Sequence, residues 1–420
     1  MVTGTISLDE AQALVRAVAT ELSEAHASST ERCALADSLG RILAAGYRSD
    51  GPWPSTDRSA MDGFAVATGG AGPRASEEFP VVGRSLAGQP FVGALEPGNA
   101  VRIMTGGVVP EGADTVVRVE DTSGFDDTSG SEERVSITAD VEAGANIRPQ
   151  GSEVEEGAVL LNPGDLVGPA EIGALAVLGQ AEVEVVRRPV VRIVSTGDEV
   201  VDLTETPKPH QVRDSNSWSV QALAERSGAT GERLGIANDV EEELEQMFSR
   251  GLEADVLVTI GGVSKGTHDL VHSTLEKLGV QTVFHGIAMK PGKPTYFGRR
   301  AREGRRDCLV FGLPGNPQST YATFQMLVVE ALSILNGAAP RAELQAHAAG
   351  VPWRSNWREQ VVPARLRAQE DGRLVVELAR LKPSGDPFGL LDGTVFARVP
   401  GEAAPEETKV LRVVGGEGPR

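Results

Sequence analysis

Apolar positions along this 420-residue chain keep a helical period at first, then shift to short β-like runs, then alternate between strand and helix patterns, and end as short strands. Ser7-Leu8-Asp9-Glu10 reads as a capping box, and Leu14, Val15, Val18 and Leu22 continue one helical stripe behind it. A second helix is expected over Ala34 to Ala44, before Pro52 and Pro54 break the pattern. From Trp53 to Asn146 short Val-rich pieces between turns predict a small β domain, with strands at Phe79 to Val82, Ala100 to Met104, Thr115 to Val119 and Arg134 to Ile137. Asp121-Thr122-Ser123-Gly124 returns as Asp127-Thr128-Ser129-Gly130, an acidic repeat expected to be an exposed hairpin tip.

Gly168 to Gly179 reads as a short apolar helix and Ala181 to Val186 as an alternating strand. Between Arg188 and Leu335, strands at Val190 to Val194, Val256 to Ile260, Thr282 to His285 and Leu309 to Phe311 are separated by helical segments. Asp239-Val240-Glu241-Glu242 is expected to cap one of these helices and Gly279 to end another. This is the rhythm of a parallel sheet covered on both faces. Pro340 to Pro400 returns to short strands. The expected organisation is α/β plus β and multidomain. It comprises an N-terminal helical and linker domain (1–50 and 147–187), an inserted β domain (51–146), an α/β ligand-binding domain (188–335) and a C-terminal β domain (336–420).

Composition narrows the function. A formal charge of −19 argues against nucleic-acid or anionic-membrane partners, which need clustered Lys and Arg. Cys33 and Cys308 stand alone, so neither a disulfide framework nor a structural zinc site is expected, and Cys308 should pack as a small apolar residue. The start of the chain shows no signal-peptide pattern, and the uncharged run from Gly312 to Val329 carries too many polar residues and prolines to span a bilayer. The expected location is cytoplasmic.

Against this acidic background, Met289-Lys290-Pro291-Gly292-Lys293-Pro294 is a local reversal of sign, and Leu313-Pro314-Gly315-Asn316-Pro317 follows it as a strand-to-helix turn. Ligands of open α/β sheets bind at the carboxyl ends of strands. Four polar turns fall at such ends: Ser195-Thr196-Gly197-Asp198-Glu199, Gly261-Gly262-Val263-Ser264-Lys265-Gly266-Thr267-His268-Asp269, the lysine segment, and the Pro314 turn. Lysines and helix N-termini suit an oxyanion, whereas Glu199 and Asp269 suit a hard cation such as Mg²⁺. The pairing fits phosphoryl or nucleotidyl chemistry. Neither a Walker loop nor a Ser-His-Asp order is present. His268, His272 and His285 read as structural, and Asp239 as a helix cap.

These motifs, together with Ser59-Ala60-Met61-Asp62-Gly63 and Arg102-Ile103-Met104-Thr105-Gly106, resemble the molybdopterin molybdenumtransferase (MoeA) family, which is related to the E domain of gephyrin. The resemblance runs from about residue 5 to 335 and is looser beyond. It implies insertion of molybdate into adenylylated molybdopterin, giving molybdenum cofactor and AMP with Mg²⁺ assisting. It also implies four domains per chain, with the α/β domain binding molybdopterin, and a homodimer whose active site lies between subunits. Asp62, Thr105, Glu199, Asp239 and Asp269 match functional positions of the family, Glu199 and Asp269 as metal ligands. Lys290 and Lys293, with nearby Pro294, match its molybdate site. Ser264, Asn316 and Ser319 match its pterin-phosphate side, Ser195, Thr196, Gly197, Gly262, Pro314, Gly315 and Pro317 match other cofactor-binding positions, and Ser384 in Pro383-Ser384-Gly385 matches a serine near molybdate. The molybdopterin adenylyltransferase and apo-molybdoenzymes are the implied partners.

Three positions depart from the pattern. Gly151-Ser152-Glu153 stands where Gly-Glu-Asp is common, Thr267 replaces an acid beside the extra charge of Lys265, and the stretch from Trp357 to Arg365 offers no clear counterpart to a C-terminal arginine near molybdate. A paralogue that inserts tungstate, a molybdopterin-binding scaffold, and a nucleotide-processing relative sharing only the α/β domain are the alternatives.

Overall fold

The computed structural model of the protein describes residues 4–25, 29–125, 133–263, 270–338, 343–349, 355–380, 382–393, 395–402 and 410–415. The chain divides into two compact units, one made of Met1–Ala45, Pro163–Ile172 and Ala181–Arg420, the other of Gly46–Asn162 and Gly173–Gln180.

The larger unit opens with the helix Leu8–Ala25. Its capping box is complete: the Ser7 hydroxyl accepts from the Glu10 N–H at 3.2 Å, and the Glu10 carboxylate accepts from the Ser7 N–H at 2.8 Å. Leu8, Ala11, Val15, Ala19 and Leu22 form its buried face, packed on the helix Val329–Leu335. The helix expected over Ala34 to Ala44 is absent. Thr30–Ala34 is a strand paired antiparallel with Glu182–Val186, and a single turn of 3-10 helix follows at Leu35–Asp37. Gly40 then takes φ +74°, a left-handed conformation that ends any helical path and returns the chain to extended bridges at Ile42 and Leu43.

A six-stranded sheet forms the centre of this unit, in the order Thr230–Ala237, Val190–Thr196, Val256–Ile260, Cys308–Leu313, Tyr296–Arg300, Gln281–His285. The first four strands run parallel. The sheet is not parallel throughout, as the βαβ rhythm suggested: Tyr296–Arg300 runs antiparallel to both of its neighbours. Only ten residues join it to the Gln281 strand, too few for a crossover helix, so the connection is a hairpin. Reversing twice restores direction, and the Gln281 strand therefore ends on the same edge as the Cys308 strand. Cys308 is fully buried, and burial pushes its thiol up to about 12.

The C-terminal strands close on themselves. Glu359–Ala368, Leu374–Leu378, Leu344–Ala349, Val410–Val414 and Val395–Val399 pair in a ring that returns to the first strand, a small barrel around Val362, Ala364, Val376, Ala397 and Leu411. Met289–Lys290 adds to this barrel in parallel register, Met289 opposite Glu359 and Lys290 opposite Gln360. The charged centre of the attachment is Arg398, 1% exposed, whose five N–H groups are all used. It grips Glu359 through two bonds of 2.7 and 3.0 Å, and reaches Gln12 at 3.0 Å, Asp9 at 2.6 Å and Glu343.

The smaller unit holds a five-stranded sheet in the order Thr115–Arg118, Gly63–Val66, Ala100–Ile103, Glu78–Ser85, Arg134–Ser136. Phe64, Val66, Phe79, Val117 and Val135 fill its core. Part of the acidic repeat, residues 126–132, lies outside the described residues. Together the sheets and the barrel give the expected α/β plus β, multidomain architecture. Among the described residues no helix is long and apolar enough to cross a membrane.

A candidate active site at the carboxyl edge of the sheet

The turns that follow the Val190, Val256, Cys308 and Gln281 strands share one edge, and three of them touch. The Gly261 N–H donates to the Leu313 carbonyl at 2.9 Å, and the Asn216 amide donates to the Gly315 carbonyl at 2.7 Å. Gly261 has φ +95°, and a Cβ there would lie 2.6 Å from the Thr196 carbonyl oxygen. At Gly262 a Cβ would strike Val271 at 2.3 Å. Side chains are therefore excluded from the middle of the edge, leaving a backbone-walled floor. The floor is fastened from beneath: Thr196 Oγ1 donates to the Ile260 carbonyl at 3.3 Å, and Ser195 Oγ donates to Asp214 at 3.0 Å. Both hydroxyls are buried, at 2% for Ser195 and 3% for Thr196, so these side chains brace the edge rather than face a ligand.

Carboxylates collect at one end of this edge. Gly197 takes φ +130°, and the Glu199 carboxylate folds back beside it. Asp198 Oδ1 accepts the Asp239 N–H at 3.1 Å, joining the ends of the Val190 and Thr230 strands. Burial, with the nearby charges of Asp198 and Glu199, raises the Asp239 carboxyl above its ordinary value. Asp239 does not cap a helix. The following helix, Glu241–Gly251, has Val240 at its N-cap without a side-chain bond, and Glu243 reaches back to the Asn238 N–H at 3.0 Å instead.

Lysines collect at the other end, four strand spacings or about 19 Å across the sheet. Lys290 and Lys293 lie on the hairpin between the Gln281 and Tyr296 strands, which the Gly286 and Ile287 N–H groups close onto the Thr295 and Lys293 carbonyls. Gly292, φ +119°, lets the hairpin sit against Thr323, where a Cβ would fall 2.6 Å from the threonine methyl. Both lysines are exposed, and among the described residues neither has an ion-pair partner. His285 and His272 stack at 5.3 Å, and His285 Nε2 contacts the Val263 carbonyl at 3.2 Å, a structural role for both.

The Pro314–Pro317 turn is already engaged. The Gln318 N–H, one of the open donors at the start of the helix Pro317–Thr323, bonds the Ser384 carbonyl at 3.1 Å, and the Asn316 amide donates to the Ser384 hydroxyl at 3.1 Å. Pro383-Ser384-Gly385 is thereby seated on the turn from 68 residues away in sequence. Because the Ser384 oxygen accepts from Asn316, its own proton is left to donate to a ligand. Ser319 is buried inside the helix, at 4% exposure.

Arg358 is a residue that sequence reasoning missed. Its Nη1 lies 3.5 Å from the Met289 carbonyl, beside Lys290, and its Nε is buried with no partner among the described residues. A signal was present in the Trp357-Arg358 pair, whose cation–π contact of 5.3 Å steers the guanidinium, but nothing local tied it to Met289.

In the smaller unit, Asp62 precedes the Gly63–Val66 strand and Thr105 follows the Ala100–Ile103 strand, and antiparallel pairing of Gly63 with Ile103 brings them together. Asp62 Oδ1 accepts both the N–H and the hydroxyl of Thr105, each at 2.7 Å, which holds this exposed carboxyl below its ordinary value. A pocket of about 300 Å³ reaches Gly106, the residue after Thr105, and is lined also by Trp53, Pro54, Ser55, Arg58, Arg148 and Glu153. Arg148 pairs with Glu153 at 3.1 Å, so the carboxylate of the departing Gly-Ser-Glu motif faces this pocket. Ser264, Lys265, Thr267, His268 and Asp269 lie outside the described residues.

The family model of the MoeA N-terminal region (domain I and II) matches residues 6–179, and that of a probable molybdopterin-binding domain matches residues 192–333. A molybdopterin molybdenumtransferase of Bacillus subtilis is 36% identical over 381 residues, covering 89% of this chain and 86% of the relative. One from Haemophilus influenzae is 37% identical over 309 residues, covering 73% of each. The solved structure of a molybdopterin biosynthesis MoeA protein from Pyrococcus horikoshii superposes with a TM-score of 0.77 at 28% identity, covering 99% of this chain and all of that one. The chain therefore belongs to the molybdopterin molybdenumtransferase (MoeA) family.

Proposed function

We propose that the protein inserts molybdate into adenylylated molybdopterin, releasing molybdenum cofactor and AMP. The observation that carries this reading is the carboxyl edge itself: carboxylates at one end, two lysines without an ion-pair partner among the described residues at the other, and a glycine floor between. Such an edge suits an elongated substrate with a phosphate portion and a reacting oxyanion. Lys290 and Lys293 would hold the molybdate dianion as point charges. The Ser384 hydroxyl and Arg358, brought to the same region by the barrel, add donors for its oxygens.

Mg²⁺ fits the acidic end. Burial, with the charges of Asp198 and Glu199 beside it, raises the cost of ionising Asp239, the signature of uncompensated negative charge. Among the described residues no three ligands form a closed cage. An open arrangement suits Mg²⁺, which takes one or two carboxylates and completes its shell with substrate oxygens and water. Glu199, with Asp269, would hold the ion. When bound, it would neutralise phosphate charge as AMP departs.

Asp239 supplies a test. A carboxyl whose folded pKa is raised destabilises the fold in its ionised form, a cost present above that pKa and relieved as pH falls through it. Asp239→Asn is therefore expected to leave the thermal midpoint unchanged or higher while raising the Mg²⁺ concentration needed for turnover. A lower midpoint with normal Mg²⁺ dependence would reverse the assignment.

We further infer a homodimer in which Asp62 and Thr105 act in the partner's site. Asp62 is exposed, ionised and fixed by Thr105. Mixing Asp62→Ala and Lys293→Ala subunits should restore turnover, since one of the two sites in a mixed dimer is then intact. No restoration would place each site within a single chain.

Adenylylated molybdopterin, Mg²⁺ and either molybdate or tungstate, coupled to an apo-molybdoenzyme, test the reading as a whole. Reconstitution with molybdate is expected. Reconstitution of a tungsten enzyme alone would indicate the tungstate paralogue, and binding without product a scaffold.

A further inference from the structure

A second cavity, of about 330 Å³, opens at the opposite edge of the same sheet, lined by Ser29, Val190, Ala254 and eight charged residues. Val190 begins its strand, Asp255 immediately precedes the Val256 strand, and Arg306 lies two residues before Cys308. With strands of five to seven residues, this places the cavity about 17–23 Å from the candidate active site. Its volume falls in the roughly 300–1,000 Å³ range of small-molecule sites.

Five arginines meet three carboxylates there, in a chain that is otherwise strongly acidic. Four of the five are committed. Arg187 binds Asp255 through bonds of 2.9 and 3.1 Å, and Arg192 binds Glu232 at 2.9 Å. Arg302 donates to the Arg306 and Glu253 carbonyls at 2.6 and 2.7 Å, and Arg305 lies 3.7 Å from Glu253. The Arg306 side chain has no hydrogen bond or ion pair among the described residues, and its Nε is buried without a partner. Burial, with the charges of Arg187 and Arg302 working against Asp255, makes it harder to keep charged than an ordinary arginine. A guanidinium of this kind is costly unless an anion completes it.

We propose that this cavity binds a small phosphomonoester, its phosphate on Arg306 and Arg305 and its hydroxyls on the surrounding carboxylates. One free guanidinium and one loosely held, exposed neighbour match a single oxyanion group. The three carboxylates disfavour a polyphosphate and provide acceptors for sugar-type hydroxyls.

The test is calorimetric titration of the full-length protein with orthophosphate and with ribose 5-phosphate, alongside Arg306→Met and Lys293→Ala. Wild type and Lys293→Ala are expected to bind ribose 5-phosphate more tightly than orthophosphate, and Arg306→Met to bind either at least about tenfold more weakly. Arg306→Met should not lower the thermal midpoint, because it removes a partly buried guanidinium that has no hydrogen bond or ion pair among the described residues, and ribose 5-phosphate should raise the midpoint of wild type but not of this variant. Unchanged binding by a folded Arg306→Met, loss of binding in Lys293→Ala, or no binding of either probe at millimolar concentration would each overturn the proposal. Equal affinity for the two probes would overturn the phosphomonoester assignment.

Discussion

Replacing Lys293 by alanine is expected to lower molybdate-dependent turnover by about 10²–10³-fold, the usual consequence of removing one preorganised group that faces developing charge. The fold should be untouched, because Lys293 is exposed and forms no ion pair among the described residues. Its backbone carbonyl, which closes the hairpin onto the Ile287 N–H at 2.9 Å, survives the substitution. The loss should also depend on the oxyanion. Binding of adenylylated molybdopterin alone should change little, whereas the molybdate concentration for half-maximal rate should rise. Steady-state rates across molybdate concentrations, with circular dichroism as a folding control, check this. A variant with an unaltered molybdate response would remove the lysine hairpin from the site.

Arg398→Met is expected to cost about 3–5 kcal/mol of stability, because it removes a fully buried guanidinium that partners two partly buried carboxylates and leaves them largely uncompensated. Glu359 is only 14% exposed and Glu343 26%, and among the described residues Arg412 would be left as their one remaining cation, at 3.5 and 3.4 Å. Asp9 shares the network. Burial works to raise its carboxyl, but hydrogen bonds and charge from Arg412 and Arg398 together hold it below its ordinary value. Its contribution is therefore present at neutral pH and lost as pH falls through that lowered value. Removing the acid along with the base should rescue the fold: Arg398→Met with Glu359→Met is expected to recover much of the loss. The site should feel the change as well, since Glu359 lies opposite Met289 in register, next to Lys290. Denaturant titration of both variants decides the matter, and a single variant within about 1 kcal/mol of wild type would show that the network is not a stabilising one.

The elements legible in the sequence were those specified locally. An apolar run broken only by Thr259 marked the Val256–Ile260 strand, and a capping box marked the start of the helix Leu8–Ala25. Both signals lie within a few residues of the structure they predict. The stretch from Ala34 to Ala44 misled because Leu35, Leu39 and Leu43 recur at helical spacing, whereas pairing of Thr30–Ala34 with a strand some 150 residues away overrides that pattern. Thr230–Ala237 escaped notice because this edge strand carries Gly231, Glu232, Arg233 and Gly235 and lacks an apolar run. In the site, the four turns were visible because chain order alone fixes which strand ends they follow. Arg358 on the Met289 carbonyl and Ser384 on Asn316 are contacts made through the barrel, and no local pattern encodes them. Arg398 is the extreme case: an arginine in the all-buried strand Val395–Val399 reads as a fault until Asp9 and Gln12, more than 380 residues earlier, are placed beside it.

The proposed function requires this edge to couple an incoming oxyanion to the departure of AMP. The most direct measurement is AMP released from adenylylated molybdopterin by the wild-type protein with Mg²⁺, in the presence and absence of molybdate. Release that requires molybdate and continues past one equivalent per chain is the predicted result. Stoichiometric binding with no molybdate-dependent release would contradict it.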